Sequence, residues 1–253
     1  METNEHQNGE ESDQQQESSS RSLVPLESEQ HPGRSLIERP SHDVVKLSSA
    51  LAAFSKPFSN HSDALWRIRS ELSRRCIEKG QRTFAILSPE RCEGRSYLAA
   101  NLAVAFSQLG FRVMLIDGDL RNPCQHEIFQ TRNEGGLSLM LTSRIGPNLL
   151  RSNPTTDSLS IISAGKPPVN PLAMLSSDQL VRLLKRASDM FDVVLIDTPP
   201  AEAFGDAEAI AHQVDAAIIV ARKGHSVLSR TATLIQRVKE AGTEVAGAVL
   251  NTF

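Results

Sequence analysis

Asp117 and Asp119, two residues apart, close the apolar run Val113-Met-Leu-Ile, and Asp197 closes a second such run, Val193-Val-Leu-Ile. Carboxylates just beyond a buried strand are costly unless something pairs them. A Mg²⁺ ion, or a water poised on a phosphate, meets that need. A third apolar run, Thr83–Ser88, leads into Pro89-Glu-Arg-Cys-Glu93-Gly94-Arg95-Ser96-Tyr97 and then directly into an amphipathic helical segment. A strand, a tight loop and a helix N-terminus together form an anion site, because free N–H groups and the helix dipole converge there. Taken singly, each aspartate reads as a turn or helix cap. The loop alone also falls short of the phosphate-loop pattern, which asks for Gly-Lys-Ser or Gly-Lys-Thr where this chain has Gly94-Arg95-Ser96. Three acids at two strand ends beside an anion loop point to a nucleotide–metal site.

The elements that must position these residues are legible as an alternation. Strand-like runs fall at Thr83–Ser88, Arg112–Asp117, Leu159–Ser163, Asp192–Asp197, Ala216–Ala221 and Val245–Leu250, most of them rich in Val and Ile. Such runs suit a parallel sheet covered on both faces. Helices fit between them at Ser96–Gln108, Ser177–Met190 and Val227–Ala241. A preceding helix begins near Ser62, with Asp63 as its cap, and stops at Gly80. The pattern predicts a doubly wound, mostly parallel α/β sheet that binds ligands beyond the carboxyl ends of its strands. Residues 1–60 stand apart from this domain of residues 61–253. Their start is rich in Gln, Ser and Glu and reads as a disordered polar arm, with one short docking segment around Val44 to Phe54.

Composition narrows the function classes. A net charge of -3 over 253 residues gives no sign of a nucleic-acid partner. Cys76, Cys92 and Cys124 show no metal-ligand spacing and suit a reduced, cytoplasmic chain. No stretch approaches the roughly 20 apolar residues that cross a bilayer, and no signal peptide opens the chain.

Several further runs carry a resemblance. They are Ala100-Asn101-Leu102-Ala103, Leu115-Ile-Asp-Gly-Asp-Leu-Arg-Asn-Pro123 with His126, Phe129 and Gly136-Leu137-Ser138, then Gly165-Lys-Pro-Pro-Val-Asn170-Pro171, Asp197-Thr-Pro-Pro200 and Asp206-Ala207. Over residues 62–253 the chain resembles the catalytic domain of the bacterial tyrosine kinases of capsule and exopolysaccharide synthesis, a family of P-loop proteins related to Min- and Par-type ATPases. The resemblance implies ATP and Mg²⁺ as cofactors. Glu93, Gly94, Arg95, Ser96 and Tyr97 would face the phosphates, with the Ser96 hydroxyl on the metal. Asp117 would serve as base toward a tyrosine hydroxyl, Asp119 would be the second catalytic residue, and Asp119 and Asp197 would hold the metal and its waters. Asn251 falls where relatives read the adenine, although an Asn ending a strand also suits a turn. The family further implies a membrane-spanning chain-length regulator on a separate chain that recruits this one to the inner face of the membrane, and a possible homo-oligomer.

The departures from the family pattern cluster in the phosphate loop. Arg95 replaces lysine, and its planar fork aims its donors differently from a compact ammonium. Cys92 replaces a glycine, where a β-carbon opposes a positive φ. Arg91 replaces a proline, and Tyr97 replaces a small threonine. Tyr97 is the single tyrosine, so the C-terminal tyrosine cluster of the family has no counterpart. In the first helix, Asp63 and Arg69 match the family's oligomer contact while Trp66 replaces an arginine and reads as a packing residue. His126 reads as structural, and Lys166 and Lys223 read as solvated. The expectation is a regulatory tyrosine-kinase-like protein with weak or no phosphoryl transfer. An active kinase on a partner and a Min/Par-type positioning ATPase are the alternatives.

Overall fold

Apolar residues fill the strands without alternating with polar ones, which requires a sheet covered on both faces. The computed structural model describes residues 51, 55, 59–142, 151–153, 156–202 and 205–252. Helix α1 (Asn60–Arg75) and a 3₁₀ turn (Ile77–Lys79) precede β1 (Thr83–Leu87), α2 (Arg95–Ser107), β2 (Val113–Asp117), α3 (Gln125–Ile128) and α4 (Gly136–Thr142). Then follow β3 (Arg151–Asn153), β4 (Thr156–Ile162), α5 (Pro171–Leu175), α6 (Asp178–Met190), β5 (Val193–Asp197), α7 (Asp206–Ala211), β6 (Ala216–Arg222), α8 (Leu228–Glu240) and β7 (Glu244–Asn251).

The strands form one sheet in the order β3-β4-β2-β5-β1-β6-β7. Six run parallel, and β3 is an antiparallel edge strand on β4. At three residues β3 is too short to carry a sequence signature. The six expected strands and the doubly wound arrangement are all present. Side chains alternate across the sheet. Phe84, Ile86, Leu115 and Leu195 join one apolar layer with α1 and α2. Leu87, Ile116, Val194 and Ile219 join the other with α5 to α8.

Two details differ from expectation. Helix α1 starts earlier, at Asn60, because Ser59 caps it by accepting the Ser62 N–H at 3.3 Å. Asp63 instead places its charge in the first turn, where the dipole favours it. Helix α2 is not amphipathic: Leu98 through Ser107 are all buried between the sheet and α1, so polar residues have no face to occupy. Packed structure also reaches back beyond α1, since Leu51 is fully buried in the α1–α2 layer. The remainder of the Val44–Phe54 segment, apart from Leu51, lies outside the described residues, as does the arm before it. Gly80, in the left-handed conformation at φ 89°, ends the turn after α1 as its position predicts.

Candidate functional site

The strand order brings three chain segments to one edge. β5 lies between β1 and β2, so the loop after β1, Asp117 at the end of β2 and Asp197 at the end of β5 are neighbours. Asp117 and Asp197 are direct partners in the β2–β5 ladder, and Ile86 of β1 pairs with Asp197. Gly118 lets the two strand ends close up. Its N–H donates to Asp197 O at 2.8 Å, and a β-carbon on it would stand 2.6 Å from that same oxygen.

Backbone conformation shapes the phosphate loop. Gly94 takes φ 89° and caps α2, and Cys92 takes φ 59°. The expected glycine-like turn at residue 92 is therefore present with a β-carbon on it, at a strain of about 1–2 kcal/mol for an L-residue. Residues 92–97 line a cavity of about 210 Å³. A second cavity of about 200 Å³ opens between α1, the start of α2 and the ends of β6 and β7, with His61, Tyr97 and Asn251 on its walls. The His61 and Tyr97 rings meet edge to face.

Arg95 does not reach outward. Its Nη1 donates to Ser88 Oγ at 2.5 Å, its Nε donates to the Thr198 carbonyl, and Nε lies 3.6 Å from Asp197 Oδ1. Both side chains are almost entirely buried. Asp197 Oδ2 accepts from Gln125 Nε2 at 2.8 Å, whereas its buried Oδ1 accepts no hydrogen bond.

Asp117 accepts from three backbone groups: the N–H of Asp119 at 3.2 Å, of Cys124 at 3.1 Å and of Gln125 at 2.9 Å. Burial first, and then the charge of Asp197, push its carboxyl well above the ordinary carboxylate value, and these N–H groups pull it part of the way back. Burial likewise raises Asp197, against the downward pull of Arg95, Ser96 and Gln125. Asp119 caps its own turn, accepting the N–H of Arg121 at 3.2 Å and of Asn122 at 2.8 Å. Arg121 in turn grips the buried Asp206 at 2.6 and 3.2 Å, tying this turn to α7. Burial and the nearby acids push the Cys124 thiol up to about 12, so it stays protonated at neutral pH.

The remaining sequence candidates fall to the side. Asn251 directs its amide at the phosphate loop, donating to Glu93 O at 3.2 Å. The nearest acid to His126 among its ion-pair contacts is Glu127, at 4.0 Å. Lys166 and Lys223 are exposed, and Trp66 is half-buried on α1. Arg69 turns toward the body of the domain and donates to Ala105 O at 3.0 Å. Sequence reasoning missed Gln125, which is fully buried and bridges Ser96 O and Asp197. It also missed the Ser88 hydroxyl and the Thr198 carbonyl that receive Arg95. Gln125 carried one usable signal, a polar side chain opening a helix just after Pro123.

The donor set can be tested against a metal-bound nucleotide. An orphaned buried oxygen on Asp197, beside the Ser96 hydroxyl, fits a metal held through one or two protein oxygens, waters and phosphates. Among the described residues, no three or more His, Cys, Asp or Glu side chains converge as a metal cage, and a phosphate-loop metal needs none. Arg95 is the counter-charge that stands at Asp197 in this structure.

A loop and helix N-terminus following β1, with an aspartate ending the adjacent strand β5, define a P-loop NTPase fold. The family described as "ParA: NUBPL iron-transfer P-loop NTPase" matches residues 80–252. The chain is 30% identical over 203 residues to the putative tyrosine-protein kinase CapB of Staphylococcus aureus, covering 80% of this chain and 89% of that protein. It is 30% identical over 199 residues to the tyrosine-protein kinase etk of Escherichia coli K12, of which it spans only 27%. The solved kinase domain of Escherichia coli tyrosine kinase ETK superposes with a TM-score of 0.77 at 28% identity, over 85% of this chain and 84% of that one. The chain belongs to the ParA-type P-loop NTPases, within the family of bacterial tyrosine kinases.

Proposed function

We propose that this chain is a regulatory member of the bacterial tyrosine-kinase family in capsule or exopolysaccharide assembly, with nucleotide binding and phosphoryl transfer weakened by its own phosphate loop. One observation carries the reading: the Arg95 guanidinium lies on Ser88, Thr198 and Asp197 instead of extending along the loop. Its charge is spent inside the protein and is not presented to a phosphate. A metal at Asp197 would compete with the Arg95 guanidinium for the same carboxylate.

The other parts of the site are retained. The N–H groups of the loop and the N-terminus of α2 would hold phosphates, and Ser96 and Asp197 would hold a Mg²⁺ ion, which supplies charge neutralisation when bound. Asp117, with its raised pKa, would accept a proton from an incoming hydroxyl. Tyr97 is the single tyrosine and lies in the phosphate loop itself, so the acceptor hydroxyl is assigned to a partner chain. No described helix is long and apolar enough to cross a membrane. A membrane-spanning partner that recruits this chain fits the polysaccharide role.

Calorimetric titration of Mg-ATP into the full chain and into Arg95→Lys tests the reading, together with ATP turnover. Wild type is expected to bind at least about tenfold more weakly than the lysine variant, the scale of one lost charged hydrogen bond. Tight wild-type binding with rapid transfer to a tyrosine substrate overturns the reading. That outcome favours an active kinase on a partner, a role the intact Asp117–Asp197 pairing also supports.

A further inference from the structure

Three consecutive carbonyls of the phosphate loop are held from outside the site. His225 Nε2 bonds to Arg91 O at 3.1 Å, Arg222 Nη1 to Cys92 O at 3.1 Å and Asn251 Nδ2 to Glu93 O at 3.2 Å. A carbonyl can only accept, so His225 carries a proton on Nε2 in this contact. All three donors come from one place. Arg222 ends β6, Asn251 pairs with it in register on β7, and His225 lies in the turn that follows.

That turn is closed on itself. Lys223 N–H donates to Asn251 O at 2.8 Å, Ser226 N–H to Arg222 O at 2.9 Å, and Arg222 N–H to Ser226 Oγ at 2.6 Å. The Ser226 hydroxyl then reaches the carboxylate of Glu93, which is 1% exposed and takes the Glu90 N–H at 2.7 Å through its other oxygen. The turn and the loop are therefore joined by side chains at both backbone and carboxylate level.

The direction of these bonds has a consequence for ligand binding. A trans peptide points its C=O and the next residue's N–H in opposite directions. With the carbonyls of residues 91, 92 and 93 fixed outward, the N–H groups of Cys92, Glu93 and Gly94 are turned inward, toward the loop cavity. Those are the groups that a phosphate would meet. The same bonds hold Cys92 at φ 59°, a conformation its β-carbon resists.

We propose that Arg222, His225 and Asn251 are positioning residues: a splint from the β6–β7 edge that fixes the strained phosphate loop in its anion-binding shape. This goes beyond the regulatory reading, because it holds whether nucleotide binds tightly or weakly. It also gives Asn251 a task other than reading a nucleobase, since its amide nitrogen is committed to the loop.

Hydrogen exchange of the full chain without nucleotide tests the splint. In Arg222→Ala with His225→Ala, the loop amides of Glu90 and Leu98, which donate to Glu93 Oε2 at 2.7 Å and to Gly94 O at 2.9 Å, are expected to exchange about tenfold faster, the scale of two ordinary hydrogen bonds. Amides of β2 and α6 should stay at wild-type rates, which shows that the domain remains folded. Adding Cys92→Gly removes the strain and is expected to bring the loop amides back to within about threefold of wild type. Arg222→Lys, which keeps a donor at this place, should stay closer to wild type than Arg222→Ala. Unchanged loop exchange in the double variant overturns the proposal, and so does faster exchange that Cys92→Gly leaves unrepaired. Because no nucleotide is used, tight ATP binding would defeat the regulatory reading and leave this result standing.

Discussion

Arg95 Nε stands 3.6 Å from an Asp197 oxygen that is buried and accepts no hydrogen bond. The arginine that replaces the usual lysine is therefore the counter-ion of the acid ending β5. A buried pair of this kind adds little net stability over an apolar pair, but breaking one half leaves the other charge stranded. Arg95→Met is accordingly expected to lower unfolding free energy by about 3–5 kcal/mol. Adding Asp197→Asn should recover part of that loss. Urea unfolding of the two single variants and the double variant reads the coupling, and strictly additive effects would show that the two side chains do not act as a pair.

Cys92→Gly should act in the opposite sense. Relief of the left-handed strain is worth about 1–2 kcal/mol, against a glycine entropy penalty of about 0.5–1 kcal/mol. The expected outcome is a small rise in the urea midpoint with an unchanged slope. A fall in the midpoint would mean that the β-carbon makes compensating contacts and that φ 59° costs nothing here.

The acids predict a pH dependence with a definite sign. Asp117 and Asp197 have folded-state pKa values raised above the ordinary 3.8, so the folded chain holds their protons more tightly than the unfolded chain. The stabilisation is complete below the unfolded value and is lost as pH rises through the folded values. Asp192 works the other way: Arg112 lowers its carboxyl, and its contribution is lost as pH falls below the ordinary value. Stability measured by urea unfolding should therefore decline as pH rises above the ordinary carboxylate value of 3.8 and through the raised folded values. Asp117→Asn should flatten that decline even if it lowers stability overall, because an amide cannot accept all three N–H bonds. An unaltered slope would show that Asp117 does not titrate in this window.

Much of this architecture could be read from the sequence because parallel strands buried on both faces leave continuous Val- and Ile-rich runs. The ends of those runs placed Asp117 and Asp197 beside the phosphate loop, and the ladder pairs them directly. What the sequence left hidden depends on side-chain direction. Nothing in the spacing tells whether Arg95 extends along the loop or folds back onto Ser88 and Thr198. Asn251 could equally end a turn, read a base or hold Glu93 O. Helices α3, α4, α5 and α7 run from four to seven residues and complete too few turns to show a period. Gln125 was hidden for the same reason, since its role is set by the approach of β5 and not by its chain neighbours.

Gly118 gives the sharpest test of how the acids are positioned. It lies between Asp117 and Asp119, and an added β-carbon would stand 2.6 Å from Asp197 O, 2.9 Å from Ile210 Cδ1 and 3.1 Å from Ile196 Cγ2. Ile210 can shift, but the Asp197 carbonyl is backbone fixed in the ladder, so the strand ends must part. Gly118→Ala is expected to cost about 1–3 kcal/mol, the usual range for overpacking a tight site. Parting the strands also weakens the repulsion between Asp117 and Asp197 and admits water. Both pKa values should therefore fall toward 3.8, and the pH slope of stability should flatten as it does in Asp117→Asn. A destabilised variant that keeps the wild-type slope would show that the two carboxylates are held together by something other than the close approach at Gly118.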